Sequence, residues 1–203
     1  MIRIWGRSNS HNVKKPLWLA DELGLPFVRH DVGGAFGYPQ EYVRKNPNRL
    51  VPTLEDGALV LWESNAMLRY LAAQYGGETF WPSSPSQRAK GDKWMDWQVM
   101  LADAQRAAFL GMVRLAPEAR EPAAIAQSLA HSASLLKIAD DALAQEPWLS
   151  GERFGIGDIP VGIYVHTFMS IGGDAADMPH LRDWYERLKL RPGYARHVMI
   201  PLT

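Results

Sequence analysis

Three polar side chains, Ser8, Ser10 and Asn12, alternate through GRSNSHNVKK (6–15), between a β-rich tetrapeptide and a helical run. A helix start leaves N–H groups unpaired and carries the positive end of the helix dipole, so side chains there either cap the helix or help hold an anion. Capping accounts for Asn12. Ser10 is better placed to donate a hydrogen bond than to attack, because GRSNS is not G-x-S-x-G and nothing nominates a base and acid for a serine nucleophile. A second pair, Glu63-Ser64 in WESNAMLRYLA (62–72), has complementary chemistry. Ser64 is a natural N-cap, and the pair suits a zwitterion: the helix start and hydroxyl receive a carboxylate while Glu63 accepts an ammonium. Pro52 in LVPTLEDG (50–57) opens a strand, where the missing donor is tolerable.

Composition narrows what this chemistry can be. The 203 residues are 47% hydrophobic and 22% charged, an ordinary globular balance with enough chain for one good core or two small ones. Lys plus Arg and Asp plus Glu both total 22, so no net charge draws the chain to nucleic acid or an anionic membrane. No apolar run has membrane-spanning length, and MIRIWGRSNS is too polar for a signal peptide, which points to the cytoplasm. With zero cysteines there is neither a disulfide nor an enzyme thiol. The histidines lack HxxxH and HExxH spacing, so no metal site is expected, and His11 and His166 read as hydrogen-bonded structural residues. GGAFGY (33–38) lacks both phosphate-loop spacings, and Trp94, Trp97 and Trp148 read as core.

These side chains need a scaffold, and the hydrophobic periods supply one. IRIW (2–5), a helix over 12–23 and PFVRHDV (26–32) form a β-α-β unit with parallel strands. PQEYVRKN (39–46) gives a short helix, and TLEDGALVLW reads as two strands joined at Asp56-Gly57. A helix after Ser64 ends at Gly76-Gly77, and GGETFWPSSPSQ (76–87) then gathers linker residues. Helical periods follow over 86–114, 121–145, 156–171 and 179–190, with no convincing strand. In FGIGDIP (154–160), Gly155 as N-cap puts Asp158 at N3, able to reach back to a backbone N–H, with Phe154 and Ile159 as the hydrophobic staple. The apolar residues around 159–168 mark the centre of the helical core.

The order β-α-β-α-β-β-α, the strand-opening proline, Glu-Ser before the third helix and the all-helical second half together resemble the cytosolic glutathione transferases. SHNVKK, NPNRLVPTLEDG, ESNAMLRYLA and FGIGDI fall in that family's order and spacing, over essentially the whole chain, with bacterial theta, beta and nu flavour. The resemblance implies a thioredoxin-like α/β domain over 1–77 that binds glutathione, a linker over 78–87, and an all-helical bundle domain over 88–203 that supplies the acceptor pocket. It implies a homodimer, glutathione as co-substrate and no further cofactor. Ser10 would donate to the glutathione sulfur, with Asn12 supporting or replacing it. Val51 would present its backbone to the cysteinyl moiety beside a cis Pro52, and Glu63 and Ser64 would bind the γ-glutamyl end.

Two positions depart from the family pattern: Gly155 stands where Ser or Thr is usual, and Leu50 where several classes place a polar or basic residue. Tyr38 and Arg49 are the candidates for the glycyl carboxylate, and Phe36, Phe109 and Met112 for the acceptor pocket. The expected activity is conjugation of glutathione thiolate to an apolar electrophile. A glutathione-dependent disulfide or peroxide reductase and a non-catalytic glutathione- or partner-binding protein are the alternatives.

Overall fold

Short runs rich in β-branched and aromatic residues become one four-stranded sheet in the computed structural model, which describes all 203 residues. The strands are β1 (Ile2–Trp5), β2 (Phe27–His30), β3 (Thr53–Asp56) and β4 (Leu59–Trp62), in the order β2-β1-β3-β4. β1 pairs parallel with β2, joined through helix α1 (His11–Glu22), while β1–β3 and β3–β4 are antiparallel. Helix α2 (Gln40–Lys45) follows β2, with Pro39 just before its first turn. The β3–β4 hairpin closes one residue later than the sequence suggests. Asp56 is still paired, with Leu59, so Gly57 and Ala58 make the turn.

Helix α3 (Ser64–Tyr75) follows β4, and the segment after it carries a single helical turn, α4 (Gly77–Phe80). α5 (Pro85–Phe109) continues as a π-helical turn over Leu110–Arg114. Then come α6 (Pro122–Leu143), α7 (Asp158–Ser170), α8 (Pro179–Lys189) and α9 (Pro192–His197). α7 is buried almost all round, as its unbroken apolar composition requires.

Both halves of the chain share one hydrophobic core, and α1 joins them. Its Trp18 is fully buried, with its ring 4.8 Å from that of Tyr194 and 5.5 Å from that of Phe154. A Cβ at Gly193 would stand 2.8 Å from the Trp18 ring, so only glycine lets α9 approach this closely. Six residues are too few for a readable amphipathic pattern, and the sequence reading missed α9. Charge ties it down: Arg191 grips Glu22 through two hydrogen bonds of 2.9 and 2.7 Å, and Arg196 and His197 reach Asp21 at 2.6 and 2.8 Å. The C-terminal end of α1 is thereby fixed.

The FGIGDIP turn takes a different form from the expected cap. The helix starts at Asp158 with Gly157 before it, yet the predicted reach-back exists: Asp158 Oδ2 accepts the Gly155 N–H at 3.0 Å. The same carboxylate accepts N–H groups of Leu149 (2.8 Å), Ser150 (3.3 Å) and the Trp184 indole (2.9 Å). The hydroxyl that Gly155 lacks comes from Ser150, whose Oγ accepts the Gly157 N–H at 3.0 Å. A Cβ on Gly155 would meet Ser150 Cβ and Oγ at 2.8 and 2.9 Å, so the Ser150 side chain fills that space.

Candidate active site at the N-terminus of α1

Ser10 is the N-cap residue of α1, with extended backbone angles, and its carbonyl accepts the N–H groups of Val13 and Lys14 at 3.0 Å each. Its hydroxyl does no capping and has no partner within the chain. The helix start is therefore built by the backbone alone, leaving a free O–H donor at its positive end. Asn12, one residue into the helix, is exposed, and its Oδ1 accepts the Ser64 hydroxyl at 3.3 Å. That contact joins the two motifs that the sequence presents separately.

Ser64 does not cap α3. It is the first helical residue, and Glu63 takes the cap position at φ 73° and ψ 109°. A non-glycine residue at positive φ holds a sparsely populated conformation, of a kind that costs roughly 1–3 kcal/mol and clusters at ligand sites. Sequence rules reserve such angles for Gly, Asn or Asp, and so assign the cap to Ser64 instead. The Val51–Pro52 bond is cis, as expected. Neither the N–H nor the C=O of Val51 takes a hydrogen bond within the chain, whereas the carbonyl of neighbouring Leu50 is held by Tyr42 and by Asn46 Nδ2. The Val51 side chain packs against Gly6 and Gly33, beside the loop that leads into Ser10. The Asn12–Ser64 bond thus links the start of α1 to the start of α3, with Ser10 and Glu63 beside it in the chain and Val51 against the loop that leads into Ser10. Tyr38 and Leu50 are exposed, and Arg49 has a positive φ of 54°.

His11, next to Ser10, sits in an aromatic cluster. The His11 ring stacks on Tyr164 at 4.8 Å, meets Phe109 edge-on at 4.9 Å, and its Nε2 bonds Thr167 Oγ1 at 2.7 Å. Phe36 and Met112 are exposed, and Arg114 lies over the Phe109 face at 5.7 Å. Burial first, then the cations Lys14, Lys15, Arg114 and Arg7, push the His11 imidazole from 6.5 down to about 3. It is a neutral structural residue, as its sequence context suggests, and no general base.

The sign of its effect on stability follows. The unfolded ring binds a proton below about 6.5 and the folded ring only below about 3, so stability is full above that window and lost as pH falls through it. His166, pushed by burial to about 4, acts in the same direction. Denaturant midpoints should fall on acidification, and His11→Gln should flatten that slope. An unchanged slope in this variant would mean that His11 is not held neutral.

Sequence reasoning missed Lys15. It is 2% exposed and donates to Gln98 Oε1 (2.7 Å), Asn65 Oδ1 (2.9 Å) and Ser64 Oγ (3.2 Å). The available signal was its place one turn beyond His11 and one turn before Leu19, on a helix without a polar face.

The family models described as the N-terminal and C-terminal domains of glutathione S-transferase match residues 6–79 and 122–187. The glutathione S-transferase GstB of Escherichia coli is 43% identical over 208 residues, covering 100% of both chains. The disulfide-bond oxidoreductase YfcG of the same organism is 28% identical, over 95% of this chain and 92% of that one. A theta class glutathione S-transferase from Xanthomonas axonopodis pv. citri, solved with glutathione bound, is 50% identical with a TM-score of 0.94, over 100% of this chain and 99% of that one.

Proposed function

The chain belongs to the glutathione S-transferase family, and from that membership we propose that it binds glutathione, stabilises its thiolate through Ser10 and transfers it to an apolar electrophile. The observation that carries this reading is the unspent Ser10 hydroxyl at the N-terminus of α1. A free thiol has a pKa near 8.5. One hydrogen bond to the charged form contributes roughly 1.5–3 kcal/mol, worth about 1–2 pKa units if it acts only on the thiolate. That is enough to make thiolate the major form near neutral pH, without an enzyme thiol.

The remaining roles extend the same reading. Val51 offers an unpaired N–H and C=O to the peptide. Glu63 and Ser64 take the γ-glutamyl ammonium and carboxylate, and Asn12 steadies Ser64. Residues 1–77 hold glutathione, and the helices after the 78–87 linker supply the acceptor wall with Phe109 and Met112, faced by Phe36. We place the protein in the cytoplasm as part of the same reading; no helix is long and apolar enough to cross a membrane. We also propose a homodimer, because Val60 and Trp62 on β4 and Val99 and Met100 on α5 leave apolar surface exposed.

Steady-state conjugation against a panel of activated aryl halides, alkyl halides and enones tests the activity. Glutathione adducts formed at an enzyme-dependent rate support it. Turnover confined to disulfides would favour the reductase reading that the YfcG likeness raises, and binding without any turnover would leave only a binding protein. Sedimentation of the wild type should give a dimer, and Trp62→Glu should shift it towards monomer.

A further inference from the structure

Lys15 has no carboxylate partner although it is buried. Its three N–H donors end on neutral oxygens of Ser64, Asn65 and Gln98. Of the polar and titratable groups around it, α1 contributes neutral His11 and Lys14, whose Nζ turns away to the Val198 carbonyl. α3 contributes Glu63, the one acid that acts on Lys15. α5 contributes Gln98, while Asp92 and Asp96 of the same helix are held by Arg69. A desolvated ammonium with only neutral acceptors is costly, and burial lowers it from 10.5 to about 7 against the pull of Glu63. Of the three acceptors, Ser64 is the one that also reaches the N-terminus of α1: its hydroxyl accepts from Lys15 and donates its own proton to Asn12 Oδ1 at 3.3 Å, so a bound carboxylate would replace Asn12 as the acceptor of that proton.

We propose that Lys15 is a positioning residue of the γ-glutamyl subsite: its ammonium, relayed through Ser64, is the counter-charge for a free α-carboxylate, so that ligand and proton bind together. This rests on the reading that Glu63 and Ser64 hold the γ-glutamyl end. A bound carboxylate raises the Lys15 pKa, so affinity is full below the free-protein value near 7 and falls as pH rises through it, by up to about tenfold per pH unit. The site thereby selects γ-glutamyl peptides with an intact α-carboxylate.

S-methylglutathione is the probe, because it has no thiol to titrate. Calorimetry in two buffers of different ionisation enthalpy should show the wild type taking up part of a proton on binding just above neutral pH. Lys15→Met should abolish that uptake and bind at least about tenfold more weakly in mild acid, with the gap closing in alkali. Gln98→Glu, which gives Lys15 a resident carboxylate, should move the pH midpoint upward and keeps the test open if the methionine variant does not fold. The S-methylated analogue lacking the α-carboxylate should bind wild type and Lys15→Met alike. Tight binding by the wild type with no proton uptake, or with the same pH profile in all variants, overturns the role of Lys15 alone. Failure of the wild type to bind S-methylglutathione overturns the glutathione reading and this proposal with it.

Discussion

Ser10→Ala is expected to raise the pKa of bound glutathione thiol by about 1–2 units and to lower kcat/KM near neutral pH by about ten- to a hundredfold. The structure makes this a clean experiment. The helix start is held by the Ser10 carbonyl, and the side chain makes no cap hydrogen bond, so its removal should cost little stability. What remains in the variant is the dipole of α1 and the nearby cationic Arg7 and Arg114, which still favour thiolate but lack a donor aimed at sulfur. Asn12→Ala should act differently. It frees the Ser64 hydroxyl from its 3.3 Å contact and is expected to weaken glutathione binding more than it shifts the thiol. Ultraviolet thiolate absorbance of the bound peptide, titrated in wild type and both variants, separates the two. A thiol pKa that stays low in Ser10→Ala and rises in Asn12→Ala would transfer the role to Asn12.

The parts of the site legible in sequence are those where one residue type answers a local backbone demand. Pro52, just before β3, marks where the strand can begin, while its cis bond followed only from the family resemblance; alternation against helical spacing separates the sheet from the long helices. Asp158 was legible too, since a carboxylate three residues after Gly155 in FGIGD can reach back to it whichever residue the helix counts from. What sequence could not supply were demands met from elsewhere in the chain. Glu63 takes positive φ against its local preference at the cap position, and Ser64 becomes the first helical residue. Lys15 reads as a solvated charge until α3 and α5 cover it with Asn65 and Gln98. α9 is written in charges, Arg191 and Arg196 against Glu22 and Asp21, whose partners lie at the far end of the sequence.

The same distinction governs the second large effect. Asp158→Ala should destabilise the protein by about 3–5 kcal/mol, because it strands three buried N–H donors, from Leu149, Gly155 and Trp184, and a part-buried one from Ser150, that now converge on one carboxylate. Burial pushes that carboxyl up, and the donors around it oppose the shift. Its worth is therefore in the donors it satisfies, and Asp158→Asn, which turns an N–H₂ towards some of them, should recover only part of the loss. Ser150 tests whether the missing hydroxyl at position 155 has been relocated. Ser150→Ala removes the acceptor for the Gly157 N–H and should cost about 1 kcal/mol. Gly155→Ser alone should also destabilise, since its Cβ would meet Ser150 Cβ at 2.8 Å. Combining Gly155→Ser with Ser150→Gly vacates that space and returns the hydroxyl to the turn itself, so the double variant should be more stable than Gly155→Ser. Chemical denaturation of the set decides it: if the two changes simply add, Ser150 does not stand in for a side chain at 155, and the turn is held by Asp158 alone.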